Sequence, residues 1–207
     1  MILLGRMNPS AMNLGAVFKV DWSAEPVRVI AFDGHVVMYD TWWAHRESWG
    51  MSKLNGKYSY YRLHRDYFQK HASLLRSEPL TEQEVEVHRP DLPFAFATHQ
   101  SLSWYDKWPN DLHIESEQTL RAPAIYLAPF GPRDSSKPAV LVHAKDGLSF
   151  SETELLLAAK SIQDPYIREV PLTGGVGVHR SGIQKCLPSY YLWGAKSRLD
   201  APVQNAA

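Results

Sequence analysis

Nine histidines are the residues in this 207-residue chain best suited to acid–base or metal chemistry. Four of them precede an arginine: His45-Arg46, His64-Arg65, His88-Arg89 and His179-Arg180. His64-Arg65-Asp66 superficially matches a kinase catalytic loop, which needs an asparagine five residues after the aspartate to hold a second metal ion. That position is His71, and neither a glycine-rich phosphate loop nor Asp-Phe-Gly accompanies it. A helical zinc pair needs histidines four residues apart. His64 and His71 are seven apart, which on a helix separates their α-carbons by roughly 10 Å. His113-Ile114-Glu115 matches the first half of a zinc-deaminase signature, but that chemistry also needs a pair of cysteines and Cys186 stands alone. No motif requires a metal or a cofactor, and none is expected.

The glycine cluster TGGVGVHRSG (173–182) is the other candidate for chemistry. Gly177 to Gly182 has the outer spacing of a phosphate-binding loop. A lysine should follow to reach the β- and γ-phosphates, and Ile183 stands there instead. The reading left is a glycine turn at the end of a strand. Its rival is a small anion site built from Gly177, His179, Arg180 and bare backbone amides. Cys186 has no neighbouring signature of a nucleophile and reads as a small buried residue or an incidental thiol. An enzyme assembled from such groups would be a hydrolase or transferase acting on an anionic, phosphorylated substrate. Its candidate residues are His64, Asp66, His99, Asp106, His179 and Arg180, which lie between elements, where sites tend to form.

The elements that must position these groups are legible as local patterns. VRVIAF (27–32) and HVVMYDTW (35–42) are strand text joined by Asp33-Gly34, a hairpin signal because a type I′ turn needs positive φ at both central residues. AVFKVDW (16–22) pairs alongside. Asn55-Gly56 marks a second hairpin, between MSKL and KYSYYRL. From Leu63 the apolar period becomes helical, with Leu63, His64, Tyr67, Phe68, His71, Leu74 and Leu75 on one arc. Arg62, Arg65, Gln69, Ser73 and Arg76 lie opposite, so a helix is predicted over 63–76.

Thr81 to Glu84 reads as a capping box with Leu80 and Val85 as its staple, and Ser151 to Glu154 as another with Phe150 and Leu155. LPFAFAT (92–98), AIYLAPF (124–130) and PAVLVHA (138–144) read as strands, and Asp146-Gly147 as a turn. Residues 99–123 have no clean period and read as a long excursion. The helix ELLLAAKSIQ buries Leu155, Leu156, Ala159 and Ile162, and the aromatic run SYYLWGA (189–195) completes a core. Hairpins with isolated helices between them predict an α+β fold. We expect a single domain over 15–200, on a largely antiparallel sheet with two or three amphipathic helices. Residues 1–14 read as a loose leader and 201–207 as a frayed tail.

Composition sets the outer limits. A hydrophobic fraction of 44% with 21% charged residues describes a globular chain able to bury a core. No apolar run approaches the roughly 18–20 residues of a spanning helix. One cysteine and no recognisable signal peptide predict a soluble, cytoplasmic protein without membrane partners.

Charge is unevenly spread. The stretch from Trp42 to Arg76 holds eight aromatic residues and seven Lys/Arg against Glu47 and Asp66, a local charge of +5. Residues 77–118 carry −7, and the two stretches either neutralise each other or face separate partners. Cations mixed with aromatics suit nucleic acid, and Tyr- and Arg-rich surfaces also suit protein interfaces. The expected function is therefore a non-enzymatic binding or regulatory protein engaging a macromolecule through 42–76, a protein ahead of nucleic acid. The residues that would carry it are Arg46, Lys53, Lys57, Tyr58, Tyr60, Arg62, Arg65, Gln69 and Arg76.

Overall fold

The computed structural model describes residues 12–54, 57–99, 118–129, 137–163, 165–166 and 172–195. For 52–54, 57–59, 172–175 and 194–195 it describes the backbone alone. The chain divides into two compact units, Met1–Asp91 and Leu92–Ala207, each with a hydrophobic core of its own.

In the first unit, strand text becomes an antiparallel sheet. Its strands are β1 (Ala16–Val20), β2 (Val27–Phe32), β3 (Val36–Trp43), β4 (Ser48–Gly50), β7 (Tyr61–His64) and β8 (Ala72–Ser77), in the order β4-β3-β2-β1-β8. The eight-residue β3 is long enough for two partners along one edge. Val36 to Tyr39 pairs with β7 and Thr41 to Trp43 with β4. Strands β5 (Ser52–Leu54) and β6 (Lys57–Ser59) pair with each other on either side of Asn55-Gly56, which lies outside the described residues.

Alternation decides which face is buried. Val27 and Val29 of β2, Val37 and Tyr39 of β3 and Phe18 of β1 join Met12 and Phe68 in one apolar cluster. Phe68 meets Phe18 edge-on, with ring centroids 5.3 Å apart. Met12, within the stretch read from the sequence as a leader, is buried in this core.

Two local expectations are corrected here. The β2–β3 connection does not use positive φ at Asp33 or Gly34. The Asp33 carboxylate instead accepts the backbone N–H groups of His35 and Val36, an Asx turn that closes the hairpin from the side chain. The helix α1 spans only Arg65–His71, and Ala72–Ser77 is strand β8. Strand β8 pairs with β1 from Ala16↔Ser77 to Val20↔Ala72, and those long-range hydrogen bonds override the helical period. Leu74 and Leu75, placed on the apolar arc by that period, are exposed, as is Tyr67. The following helix α2 (Glu82–His88) begins as expected: Thr81 and Glu84 form both halves of a capping box.

The second unit is built on a mixed sheet. Strands β9 (Ala95–His99), β11 (Ala124–Ala128), β12 (Val140–His143), β14 (Leu172–Gln184) and β15 (Leu187–Ala195) run β12-β11-β15-β14, with β9 also on β14. The β11–β15 pair is parallel. A short ladder joins β10 (Thr119–Leu120) to β13 (Phe150–Ser151). Helix α3 (Glu152–Gln163) buries Leu155, Leu156 and Ala159 against a core containing Phe96, Ile125, Leu127, Val178, Tyr190 and Leu192. Ser151 caps α3 by accepting the Glu154 N–H, while the Glu154 carboxylate accepts the N–H of Lys145.

The glycine cluster is not a turn. It is the interior of a 13-residue strand with two register shifts. Gly177 is needed because β9 passes close by: a Cβ there would lie 2.9 Å from the Cα of Thr98. The real turn is Lys185-Cys186, with φ of 49° and 62°, between the paired residues Gln184 and Leu187. Cys186 is exposed at this tip and not buried.

Two L-residues in left-handed geometry are strained, each by about 1–2 kcal/mol, and Asn-Gly is the pair that relieves it. The double substitution Lys185→Asn, Cys186→Gly should therefore stabilise the chain by about 1–2 kcal/mol, read as a higher urea midpoint. An unchanged or lower midpoint would show that the turn carries no such strain.

Candidate functional site

The first unit's core lies on one face of its sheet, and a different set of residues lies on the other. Alternation that sends Val27, Val29, Val37 and Tyr39 into the core turns Arg28, Asp40 and Trp42 the opposite way. In the β2–β3 register Arg28 stands directly opposite Asp40, and in the β3–β4 register Trp42 stands opposite Trp49. Both cross-strand pairs are in contact. Arg28 Nη2 donates to Asp40 Oδ2 at 2.9 Å, and the two indoles meet at 74° with centroids 5.4 Å apart.

These residues line a cavity of about 500 Å³ together with Glu47, Ser48, Gly50, Met51, Glu78, Glu84 and His88. Gly50 is required beside it, because a Cβ there would enter the Trp43 ring at 2.7 Å. Helix α2 contributes Glu84, the third helical residue, whose two carboxylate oxygens have separate duties. Oε2 accepts the Thr81 N–H at 2.9 Å, closing the capping box, and Oε1 accepts Arg28 Nη2 at 2.8 Å. His88, in the last turn, is buried and hydrogen-bonds through Nδ1 to the Tyr60 hydroxyl at 3.1 Å. Glu78 accepts the Trp49 indole N–H on one oxygen and the Arg76 guanidinium on the other.

The electrostatics follow from burial. Arg28 and Asp40 are 3% and 2% exposed. Burial pushes the Asp40 carboxyl up to about 6, although hydrogen bonding and charge from Arg28 pull the other way. Burial alone would lower Arg28, but Asp40 and Glu84 together hold it above its ordinary value. Burial would raise Glu84, and the Thr81 backbone and Arg28 hold it below the usual carboxylate range. The Trp49 hydrogen bond does the same for Glu78, against a small cost of burial and with help from Arg76. Four carboxyl-bearing residues (Asp40, Glu47, Glu78, Glu84) and one arginine thus line the cavity, with indole rings as the apolar walls and Arg76 paired to Glu78.

The residues singled out from the sequence are distributed elsewhere. Arg46 lies over the Trp43 ring at 4.7 Å, and Arg65 donates to the Asp33 carbonyl. Arg76 is paired with Glu78. Arg62 is on β7, Arg65 and Gln69 are on α1 and Arg76 is on β8, so the single cationic helix face expected of them does not form. Tyr60 is buried and offers no ring at the surface. The side chains of Lys53, Lys57 and Tyr58 lie outside the described residues.

Of the enzyme candidates, His64 and Asp66 form an exposed pair at 3.8 Å, and His99 meets Glu152 at 3.3 Å. Asp106 lies outside the described residues. His179 stacks on Trp193 at 5.4 Å, and Arg180 is fully buried with Nη1 toward the Leu92 carbonyl. Neighbours on a strand face opposite ways, so His179 and Arg180 do not converge on one anion as the glycine-cluster site required. Among the described residues no group of three or more His, Cys, Asp or Glu is placed to hold a metal ion.

Sequence reasoning passed over Arg28, Asp40, Glu78 and Glu84. A signal for two of them was present: a charge inside each apolar strand run, at opposed positions about the Asp33 turn. No protein-family model, curated protein or solved structure matches this chain. No helix among the described residues is long and apolar enough to cross a membrane.

Proposed function

We propose that the chain is a non-enzymatic binding protein. Its first unit receives a cationic side chain from a protein partner in the cavity walled by Trp42 and Trp49. The observation that carries this reading is the lining itself: two indoles and four carboxyl groups around one buried arginine. Negative potential in a partly desolvated cleft draws in cations, and indole faces stabilise them further. The arginine of the fold already uses both, with its guanidinium 4.8 Å above Trp49 and hydrogen-bonded to Asp40 and Glu84.

The segment 42–76 keeps its part in this reading through its first ten residues, which supply Trp42, Glu47 and Trp49. The acidic stretch that follows supplies Glu78 and Glu84. A cationic partner is favoured over nucleic acid, because the cavity would repel phosphates.

The test is calorimetric titration of the full chain with a lysine- and arginine-bearing peptide, its glutamate counterpart and a single-stranded oligonucleotide. The cationic peptide alone should bind, more weakly as salt rises. Glu47→Lys should weaken it about fivefold or more, in line with the cost of placing like charges together at an interface. Binding of the oligonucleotide with the cationic peptide ignored would overturn the proposal.

A further inference from the structure

The carboxylates of Asp40, Glu84 and Glu78 in this cavity already accept hydrogen bonds from the protein, and the exposed Glu47 at its rim is the fourth carboxyl. Asp40 Oδ1 and Oδ2 take Arg28 Nε and Nη2, at 3.4 and 2.9 Å. Glu84 Oε1 and Oε2 take Arg28 and the Thr81 N–H. Glu78 Oε1 and Oε2 take the Trp49 indole and Arg76. Each of the six carboxylate oxygens on these three residues therefore accepts a hydrogen bond from within the protein.

A primary ammonium or a guanidinium entering such a site meets three carboxylates whose oxygens each already hold one donor. Only their remaining lone pairs and Glu47 are left to share among its N–H groups, and buried N–H groups left poorly paired are costly. A cation with no N–H to satisfy avoids that cost. It needs only negative potential and aromatic faces, and both are here. The four carboxyl groups outnumber the one lining arginine and supply the field. Trp42 stands as an aromatic wall at nearly a right angle to Trp49, which already carries Arg28 over its ring. A volume of about 500 Å³ lies within the usual range for ligand pockets, roughly 300–1,000 Å³.

We infer that the cavity takes a quaternary ammonium group in preference to a primary ammonium or a guanidinium. This rests on the reading that the cavity receives a cation, and it specifies which kind. The group could be carried by a fully methylated lysine side chain or by a free choline-type amine, and the chemistry of recognition is the same for both.

The test compares tetramethylammonium, methylammonium and methylguanidinium, titrated into the full chain at matched ionic strength and followed by calorimetry. Tetramethylammonium should bind about tenfold more tightly than the other two, the scale of a cation–π contact in a desolvated site. Trp42→Leu should lose that advantage and Trp42→Phe should keep most of it, with the unfolding midpoint of each variant confirming its fold. The ranking on the unmodified chain decides the matter without any variant.

If methylammonium or methylguanidinium binds as tightly as tetramethylammonium, the quaternary preference is wrong and the cation reading stands. If none of the three binds, both are wrong. Choline and N-acetyl-trimethyllysine amide then distinguish the sources: whichever binds more tightly identifies the carrier, and failure of both overturns the inference.

Discussion

Replacing Arg28 by methionine should destabilise the protein by about 3–5 kcal/mol at neutral pH. The guanidinium is the shared partner of Asp40 and Glu84 and also lies on Trp49. Methionine fills much of the same volume, so the loss comes from charge and hydrogen bonding more than from packing. It leaves Asp40, 2% exposed, with its counter-charge gone, so the carboxyl must either stay ionised while desolvated or take up a proton at neutral pH, and both are costly. Breaking a buried pair from one side is far more harmful than removing both partners together. The double variant Arg28→Met, Asp40→Leu should therefore recover a large part of the loss. Urea unfolding of the full chain, wild type against the single and double variants, measures both effects. A single-variant change below about 1 kcal/mol would show that the pair contributes little, as exposed pairs do.

Stability should rise as the pH falls from 7 to 5, the reverse of what paired carboxylates usually produce. The reason is Asp40, whose carboxyl is pushed up to about 6 by burial, from an ordinary value of 3.8. A raised carboxyl binds its proton more tightly in the folded state than in the unfolded one. The energetic penalty of keeping it ionised is thus fully present above pH 6 and is relieved as the pH falls through 6 towards 4. At 1.36 kcal/mol per pKa unit, the full relief is about 3 kcal/mol. Glu78 and Glu84 oppose it at the acid end. Both are held below their ordinary values, so their contribution is present above about pH 4.5 and is lost below it. The expected profile is a maximum near pH 5 with a fall on either side. Asp40→Asn keeps the shape of the side chain and one acceptor for Arg28, and should flatten the rise between pH 7 and 5. Urea midpoints at four or five pH values suffice to check this, and a wild-type midpoint that falls steadily from pH 7 to 5 would refute the assignment.

Both predictions concern a pair that the strand pattern partly encodes. Arg28 within VRVIAF and Asp40 within VVMYDTWW are charges in apolar runs, and the turn at Asp33 to His35 brings them into register. The hairpin was therefore legible, although its turn was not: the Asp33 side chain closes it, where positive backbone φ was expected. What remained out of reach was Glu84, which is 56 residues from Arg28 and reads locally as the second half of a capping box. A carboxylate with two oxygens can do both jobs, and nothing in Thr81 to Glu84 announces the second.

The helix predicted over 63–76 has the same kind of limit. Leu74 and Leu75 fit a helical arc, yet Ala72–Ser77 pairs with β1, because the ladder Val20↔Ala72 to Ala16↔Ser77 pairs five residues of each strand at once, with Leu75 at the register shift. Periodicity reports which side chains could share a face, but it carries no information about which distant strand has an open edge.

Local chemistry by itself determined the α+β character, the strands at 27–32 and 124–128, the cap at Thr81 and the buried side of α3. Each depends on neighbours within a few residues. Tertiary structure alone decided that Trp42 and Trp49 line a cavity with carboxyl groups, while Trp43 beside them carries the segment's own Arg46. Cross-strand register set Trp42 against Trp49 and Arg28 against Asp40, and the path of the chain past Ser77 brought Glu78 and Glu84 to the same cavity. The sign of the charge around those indoles is a property of long-range placement, and composition counted along the chain assigns it the opposite sign.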